Sequence, residues 1–224
     1  MSKILYGCDM SHHQSESIFA SALKDQSIDF IILKATEGKT FKDSTFKDRA
    51  RRVIEAGKFL GAYHYARPEN NDYAKDEVDN FMESILSLTI PSTEIWSFLD
   101  VEGVAVNYSN WVASFIATAS AKYGHDMGIY SSVSFLNNQL KSVIQLTGCP
   151  VWVAHYNHKD DSPESGCVHF EGESIFQRAS TPYDLDTCYV EWRGQNRSEQ
   201  SSAEQIDAAL DEIKQVLNKH FGKQ

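Results

Sequence analysis

Asp100 and Glu102 close the run Ile95-Trp96-Ser97-Phe98-Leu99-Asp100-Val101-Glu102-Gly103, an apolar stretch ending in two carboxylates two residues apart. The run has the composition of a buried strand, with its acids where the strand leaves the core. Residues at i and i+2 point to one face of a strand, so both carboxylates project into a common space. Two acids so placed can divide their roles, one as proton donor and one as ionised stabiliser. An acidic surface turn would use the same residues, because charges usually mark solvated faces. The rest of the chain decides between the two.

Short apolar runs alternate with segments of helical period almost to the end. The strand candidates are Ile4–Cys8, Phe30–Ala35, Phe59–Tyr65, Ile95–Val101, Met127–Tyr130, Val151–His155, Ser174–Gln177 and Thr187–Val190. Helices are expected over Ser15–Lys24, Ser44–Ala56, Asp72–Leu88 and Tyr108–Tyr123, with Gly57 and Gly124 placed to stop two of them. Such alternation implies a mainly parallel sheet, and eight strands allow closure into a barrel. After Tyr130 the helical signal thins to Ser132–Leu140, so the last third reads as all-β and antiparallel in part. Asn157–Gly172 reads as a long surface loop. From Ser201 onward, Ile206, Leu210, Ile213, Leu217 and Phe221 recur at helical spacing, which predicts an amphipathic helix packed on the barrel or extending from it. The expected division is a barrel over 1–195 and this helix within 196–224.

In a parallel α/β barrel the working face lies at the carboxyl ends of the strands. Asp9 follows the first strand candidate and Thr36-Glu37 the second; His64 and Arg67 follow the third, Asp100 and Glu102 the fourth. Tyr130 ends the fifth, His155-Tyr156-Asn157 the sixth and Gln177-Arg178 the seventh, while Asp184 and Asp186 stand just before the eighth. Polar and aromatic groups thus collect at one end of nearly every strand, which random surface polarity would not produce. Carboxylates beside Tyr63, Tyr65, Tyr130, Trp152 and Tyr156 suit a carbohydrate, since rings stack on the C–H faces of sugars while acids grip or cleave between them. Each ring alone would serve equally as core filling, Trp152 above all.

A chain of 224 residues with 42% hydrophobic residues can fill one such barrel. Its net charge of −10 argues against nucleic acid or an anionic membrane as partner. The cysteines at 8, 149, 167 and 188 show no C-x-x-C spacing, so zinc and redox readings are weak; pairing of Cys167 with Cys188 stays open. No run is long enough to span a membrane, and the N-terminus lacks the apolar region of a signal peptide. The expectation is cytoplasmic synthesis, a monomer, and any action outside the cell only after release or delivery by another system.

The motifs together resemble glycoside hydrolase family 25, the Chalaropsis-type lysozymes that also occur among phage endolysins. The matching stretches are Tyr6–Gln14 (YGCDMSHHQ), Asp29–Gly38 (DFIILKATEG), Gly61–Pro68 (GAYHYARP), Phe98–Glu102 (FLDVE), Gly128–Ser132 (GIYSS), Val151–Tyr156 (VWVAHY) and Tyr183–Asp186 (YDLD). The resemblance implies a flattened (β/α)5β3 barrel that hydrolyses the β-1,4 bond between N-acetylmuramic acid and N-acetylglucosamine in peptidoglycan, without cofactor or metal. It matches Glu102 to the general acid, Asp100 to its partner carboxylate, and Asp9 and Asp184 to two further acids. Tyr63, Tyr130 and Gln177 match cleft positions; Tyr65, Tyr156, Glu37 and Arg67 are further candidates for substrate contact. Two departures bear on substrate preference: Phe176-Gln177-Arg178 replaces the family's common Trp-Gln-Tyr, and Asp186 stands where Asn is frequent.

On this reading Glu102 protonates the glycosidic oxygen, its pKa raised by burial and by neighbouring acids that stay ionised. Asp100 stabilises the developing positive charge, directly or by orienting the substrate's 2-acetamido group. The bland readings are an N-cap or turn role for Asp9, a satisfied core position for His64, and pairing of Glu37 with Lys34 or Lys39. His12-His13 is a poor metal site, because consecutive residues rarely converge on one ion. Two rival functions are a non-catalytic saccharide-binding barrel and a metal-dependent polysaccharide deacetylase using Asp9, His64, Asp100 and Glu102 as ligands.

Overall fold

The computed structural model describes residues 4–68, 74–102, 108–154, 174–178, 183–189 and 192. Within these, the strands are β1 (Leu5–Met10), β2 (Phe30–Glu37), β3 (Phe41–Lys42), β4 (Phe59–Tyr65), β5 (Trp96–Asp100), β6 (Met127–Ser132), β7 (Val151–Ala154), β8 (Ser174–Arg178) and β9 (Asp184–Cys188). Helices α1 (Glu16–Lys24), α2 (Phe46–Glu55), α3 (Lys75–Leu86) and α4 (Tyr108–Tyr123) connect the first five long strands. The next crossover, Val133–Thr147, joins a short turn α5 (Val133–Phe135) through a π-helical turn to α6 (Lys141–Thr147). That segment runs past the expected end at Leu140 and stops at Gly148, whose φ of 60° suits a residue without Cβ.

The sheet order is β1-β9-β8-β7-β6-β5-β4-β2-β3, and β1 also pairs with β2, so eight strands close into a barrel with β3 as a hairpin flap on β2. β9 runs antiparallel to both β1 and β8, while the pairs from β1–β2 round to β7–β8 are parallel. The expected (β/α)5β3 barrel, with its final part antiparallel in one strand, is therefore what the chain builds. The C-terminal amphipathic segment, the division at 195/196, the loop at 157–172, Tyr156 and Cys167 lie outside the described residues.

Alternation along the strands divides the apolar residues into two layers. Ile31, Leu33, Leu99, Ile129, Val151 and Val153 face outward and pack under Phe19, Val53, Phe81, Met82, Val112 and Phe115 of the helices. Leu5, Phe30, Ile32, Trp96, Phe98, Trp152, Ile175 and Cys188 face inward and fill the barrel. Trp192 closes its lower end, with ring centroids 4.7 Å from Phe30, 5.0 Å from Trp96 and 5.8 Å from Phe59. Rings of this size fit only because neighbouring strands carry glycine: a Cβ on Gly7 would stand 2.3 Å from the Phe30 ring, and one on Gly128 2.6 Å from Phe98.

Several strands run beyond their expected ends. Asp9 lies inside β1, Glu37 inside β2, and Asp184 and Asp186 inside β9 rather than before it. Hydrophobicity fades at the barrel's mouth, but the backbone ladder continues there, so an end drawn where the apolar run stops falls short.

Gly7→Ala is expected to cost about 1–3 kcal/mol in urea denaturation, the usual cost of overpacking a filled core. A variant as stable as the parent would contradict this description of the barrel filling.

Candidate active site

Strand register assembles the mouth. Glu37 pairs with Tyr65, Tyr65 with Asp100, and Asp100 with Tyr130, so four neighbouring strands present these side chains inward at one level. On the far side Asp9 pairs with Asp184, and Gly7 and Gln177 both pair with Asp186. Asp100 is 6% exposed at the end of β5, and Glu102, two residues on, is exposed at the rim. Asp9 and Asp184 are half-buried. Tyr63 sits among the acids, its hydroxyl pushed well up by burial and then by the charges of Asp9, Asp100, Asp43 and Glu102. The sequence-predicted acids thus converge on one mouth.

A chain of hydrogen bonds joins opposite walls. The Tyr130 hydroxyl donates to Gln177 Oε1 at 2.5 Å, and Gln177 Nε2 donates to Asp9 Oδ2 at 2.7 Å. Tyr130 also hydrogen-bonds Glu102. A phenol has one proton, so the Tyr130 hydroxyl serves Gln177 and Glu102 in turn, and when it donates to Glu102 it favours the carboxylate. Below this chain, Trp152 is buried with its ring 4.4 Å from Tyr130 and 5.4 Å from Phe98, and its Nε1–H donates to Asp186 Oδ1 at 2.8 Å. Trp152 is core filling, as its strand suggested, and it also anchors a buried acid. The extra carboxylate at Asp186, 1% exposed, therefore faces an indole. Phe176 points outward and packs edge-on against Tyr189, so the departure from the family's tryptophan there falls outside the mouth.

Burial and crowding hold protons on these acids. Burial, opposed by the Gln177 hydrogen bond and reinforced by Asp184 and Glu102, pushes Asp9 up to about 7. Burial and then the charges of Glu102 and Asp9 push Asp100 well above the carboxylate range, while Lys34 pulls it down. Glu102 is raised by desolvation, with Tyr130 and Lys34 pulling the other way. Glu102 is raised as the sequence reading expected, but Asp100, expected to stay ionised, is pushed up more strongly, because it is the more deeply buried of the two. Asp100 Oδ1 has no hydrogen-bond partner among the described residues. The two carboxyls are best treated as one unit that holds a proton more tightly than an ordinary carboxyl does.

Other candidates separate from the acids. His64 lies on the outer face of β4, fully buried, with Nδ1 bonded to Thr36 Oγ1 at 2.7 Å and Nε2 to Glu77 Oε2 at 2.9 Å. Both ring nitrogens are occupied away from the mouth, as the core reading expected. His12 pairs with Asp43 at 2.8 Å, and its ring centroid lies 4.0 Å from that of His13, with the planes tilted by 39°. Glu37 is paired with Lys34 at 2.5 Å and Arg67 at 2.8 Å; Arg67 takes the place of Lys39 among its expected partners. Lys34, read from the sequence only as one such partner, is 8% exposed and faces into the barrel beside the acids. Its signal was present, since lysine inside a continuous apolar strand is rarely buried without a reason. No cluster of three or more metal-ligating side chains occurs among the described residues.

Comparison with known proteins places the chain in a family. Residues 8–186 match the glycosyl hydrolases family 25. This chain belongs to that family. It is 30% identical over 171 residues to Lysozyme M1 of Streptomyces globisporus, covering 71% of this chain and 58% of that protein. It is 28% identical over 158 residues to the autolytic lysozyme of Clostridium acetobutylicum, covering 69% and 46% of the two chains. It therefore spans about half the length of these two relatives. The solved bacterial lysozyme of Streptomyces coelicolor superposes with a TM-score of 0.66 at 26% identity, over 94% of this chain and 99% of that one.

Asp9→Asn tests the buried-acid description through stability. The native state retains the Asp9 proton up to about pH 7, whereas the unfolded chain releases it from about 3.8. Folded protein binds more protons in that window, so this group makes stability fall as pH rises through it. The stability of Asp9→Asn relative to the parent is expected to climb from pH 4 to pH 7 and then level off in urea titrations. A constant difference would place Asp9 in ordinary solvent.

Proposed function

We propose that this family 25 chain is a lysozyme that hydrolyses the β-1,4 bond between N-acetylmuramic acid and N-acetylglucosamine in peptidoglycan. The observation that carries the reading is the set of acids, Asp9, Asp100, Glu102 and Asp184, gathered at the mouth of a barrel floored by rings. Two relatives bear the name lysozyme, which supports the substrate class.

Glu102 is the proton donor, because it alone of the Asp100–Glu102 pair stands out at the rim where a glycosidic oxygen can reach it. Sugar binding covers Glu102 and raises its pKa by desolvation. At the same time a substrate acetamido N–H can donate to Asp100 Oδ1, which stabilises Asp100 as the anion. Binding thus shifts the shared proton from Asp100 toward Glu102, leaving an ionised Asp100 to orient the acetamido group and stabilise positive charge at the anomeric carbon. The C–O bond to the leaving sugar breaks as its oxygen takes the Glu102 proton; water then forms the new bond to the anomeric carbon and gives up a proton that restores the Asp100–Glu102 pair. Asp9, held by Gln177, and Asp184 orient water and tune the pair. Tyr63, Tyr65 and Tyr130 line the sugar path, with Glu37 and Arg67 at its edge.

The deacetylase reading loses its histidine, since His64 is turned to the outer layer with both nitrogens bonded. A saccharide-binding barrel would keep the rings but has no use for an acid with an unpartnered buried oxygen. The site of action is the bacterial wall, reached after release or delivery.

Digestion of purified peptidoglycan, followed by borohydride reduction and mass spectrometry, tests the reaction. Reduced muramic acid ends are expected from the wild type, with at least about 10²-fold less product from folded Glu102→Gln. Reduced glucosamine ends, or full activity of the variant, would overturn the bond or the acid.

A further inference from the structure

β2 contains an irregularity that its sequence does not advertise. Register runs Lys34 to Tyr63 and then Thr36 to His64, so Ala35 is an extra residue, a β-bulge. Residues three apart on a regular strand face opposite ways. Here the bulge turns Lys34 and Glu37 to the same inner face, and Lys34 Nζ meets Glu37 Oε2 at 2.5 Å. The ammonium lies 5.0 Å from the Tyr65 ring centroid and 5.5 Å from that of Phe41 on the β3 flap. Bulges often re-aim a side chain beside an active site.

Charge matching shows what the arrangement leaves over. Glu37 Oε1 accepts from Arg67 Nε at 2.8 Å, so one carboxylate serves two cations. A purely structural pair would need only one. The formal charges of the trio sum to a positive value, and Tyr65, whose ring centroid lies 5.0 Å from Lys34 Nζ and 4.7 Å from the Arg67 guanidinium, pairs with Asp100 on β5; Asp100 and Glu102 together are mononegative when they share one proton. Lys34 is the cation whose field reaches both of those acids. The groups facing it are Glu37 on β2, Phe41 on β3, Tyr65 on β4 with Arg67 just beyond, and Asp100 and Glu102 from β5, while its field also reaches His64 on the outer face of β4; the acid pair in turn faces Asp9 on β1, Tyr63 on β4 and Tyr130 on β6.

We propose that Lys34 is a positioning residue, the electrostatic counterweight of the acid pair, fixed by the bulge and Glu37 so that Asp100 and Glu102 hold one proton over a defined pH range. It touches no reacting atom. The consequence for catalysis rests on the lysozyme reading, because the active form of the pair is the singly protonated one: gain of a second proton gives the acidic limb, and loss of the last one the alkaline limb. Removing the Lys34 charge raises both steps, whereas removing the Glu37 charge lowers both.

The test is the pH profile of kcat/KM on soluble peptidoglycan fragments for wild type, Lys34→Met, Lys34→Arg and Glu37→Gln, with urea denaturation of each across the same pH range. Lys34→Met is expected to move both limbs up by about 1 pH unit, the effect of one nearby charge. Lys34→Arg keeps the limbs in place and Glu37→Gln moves them down, which preserves the test if Lys34→Met does not fold. In denaturation, the Lys34→Met curve falls increasingly below the parent as pH rises, because its native acids retain protons longer. Limbs that coincide in all variants while only their height changes, with parallel stability curves, would reduce Lys34 to a packing residue and overturn the proposal. Diverging stability curves in a protein whose wild type cleaves nothing would support the counterweight while removing the lysozyme reading.

Discussion

Trp152 stands where the apolar filling of the barrel meets its polar mouth, and the acids above depend on that boundary. Its ring packs against Phe98 and Tyr130, its indole N–H holds Asp186, and Tyr63 meets it edge-on at 6.1 Å. A floor of rings excludes water from below, so a carboxyl placed on it loses solvation on one side and holds its proton more tightly. Glycines on the neighbouring strands make the floor possible, because a Cβ at Gly7 or Gly128 would collide with the rings beside it. Packing and acid chemistry are thus one arrangement: the same side chains that fill the barrel set the proton affinity of its mouth.

Much of this was legible in the amino-acid order, for a definite physical reason. Alternating apolar runs and helical segments specify a parallel barrel, and polar residues at successive strand ends then fall on one face. The spacing of Asp100 and Glu102 and the places of Asp9, Tyr130 and Gln177 followed from that phase alone. The misses share a cause as well. Strand ends were set where hydrophobicity stopped, although hydrogen bonding continued into the polar mouth, so Glu37, Asp184 and Asp186 were placed outside strands that contain them. The bulge at Ala35 was invisible because Phe30–Ala35 is apolar on both faces except for Lys34, and a strand buried on both sides has no alternation from which to read register. The raised Glu102 was foreseen, but the upward push on Asp100 was not, because burial depth at a strand end depends on neighbouring strands.

The mouth works as a small closed electrostatic system. Asp9 and Asp184 oppose each other across β1 and β9, Gln177 links Asp9 to Tyr130, and Tyr130 reaches Glu102. Lys34, Glu37 and Arg67 supply the positive side from β2 and the end of β4. Outside this system, His64 and Glu77 form a second buried polar pair that ties α3 to β4 and to the Arg67 backbone N–H, which fixes the segment carrying Arg67 without taking part in the acid cluster.

Everything at the mouth turns on its acids retaining protons that ordinary carboxyls lose. Titration of the side-chain carboxyl carbons by 13C NMR, assigned with Asp9→Asn, Asp100→Asn and Glu102→Gln, reads this directly. At least one aspartate carbon is expected still to titrate above pH 6, with a further change when neighbouring acids are neutralised. If every carboxyl in the mouth completed its titration below pH 5, the proton-sharing pair, and the catalytic reading built on it, would be contradicted.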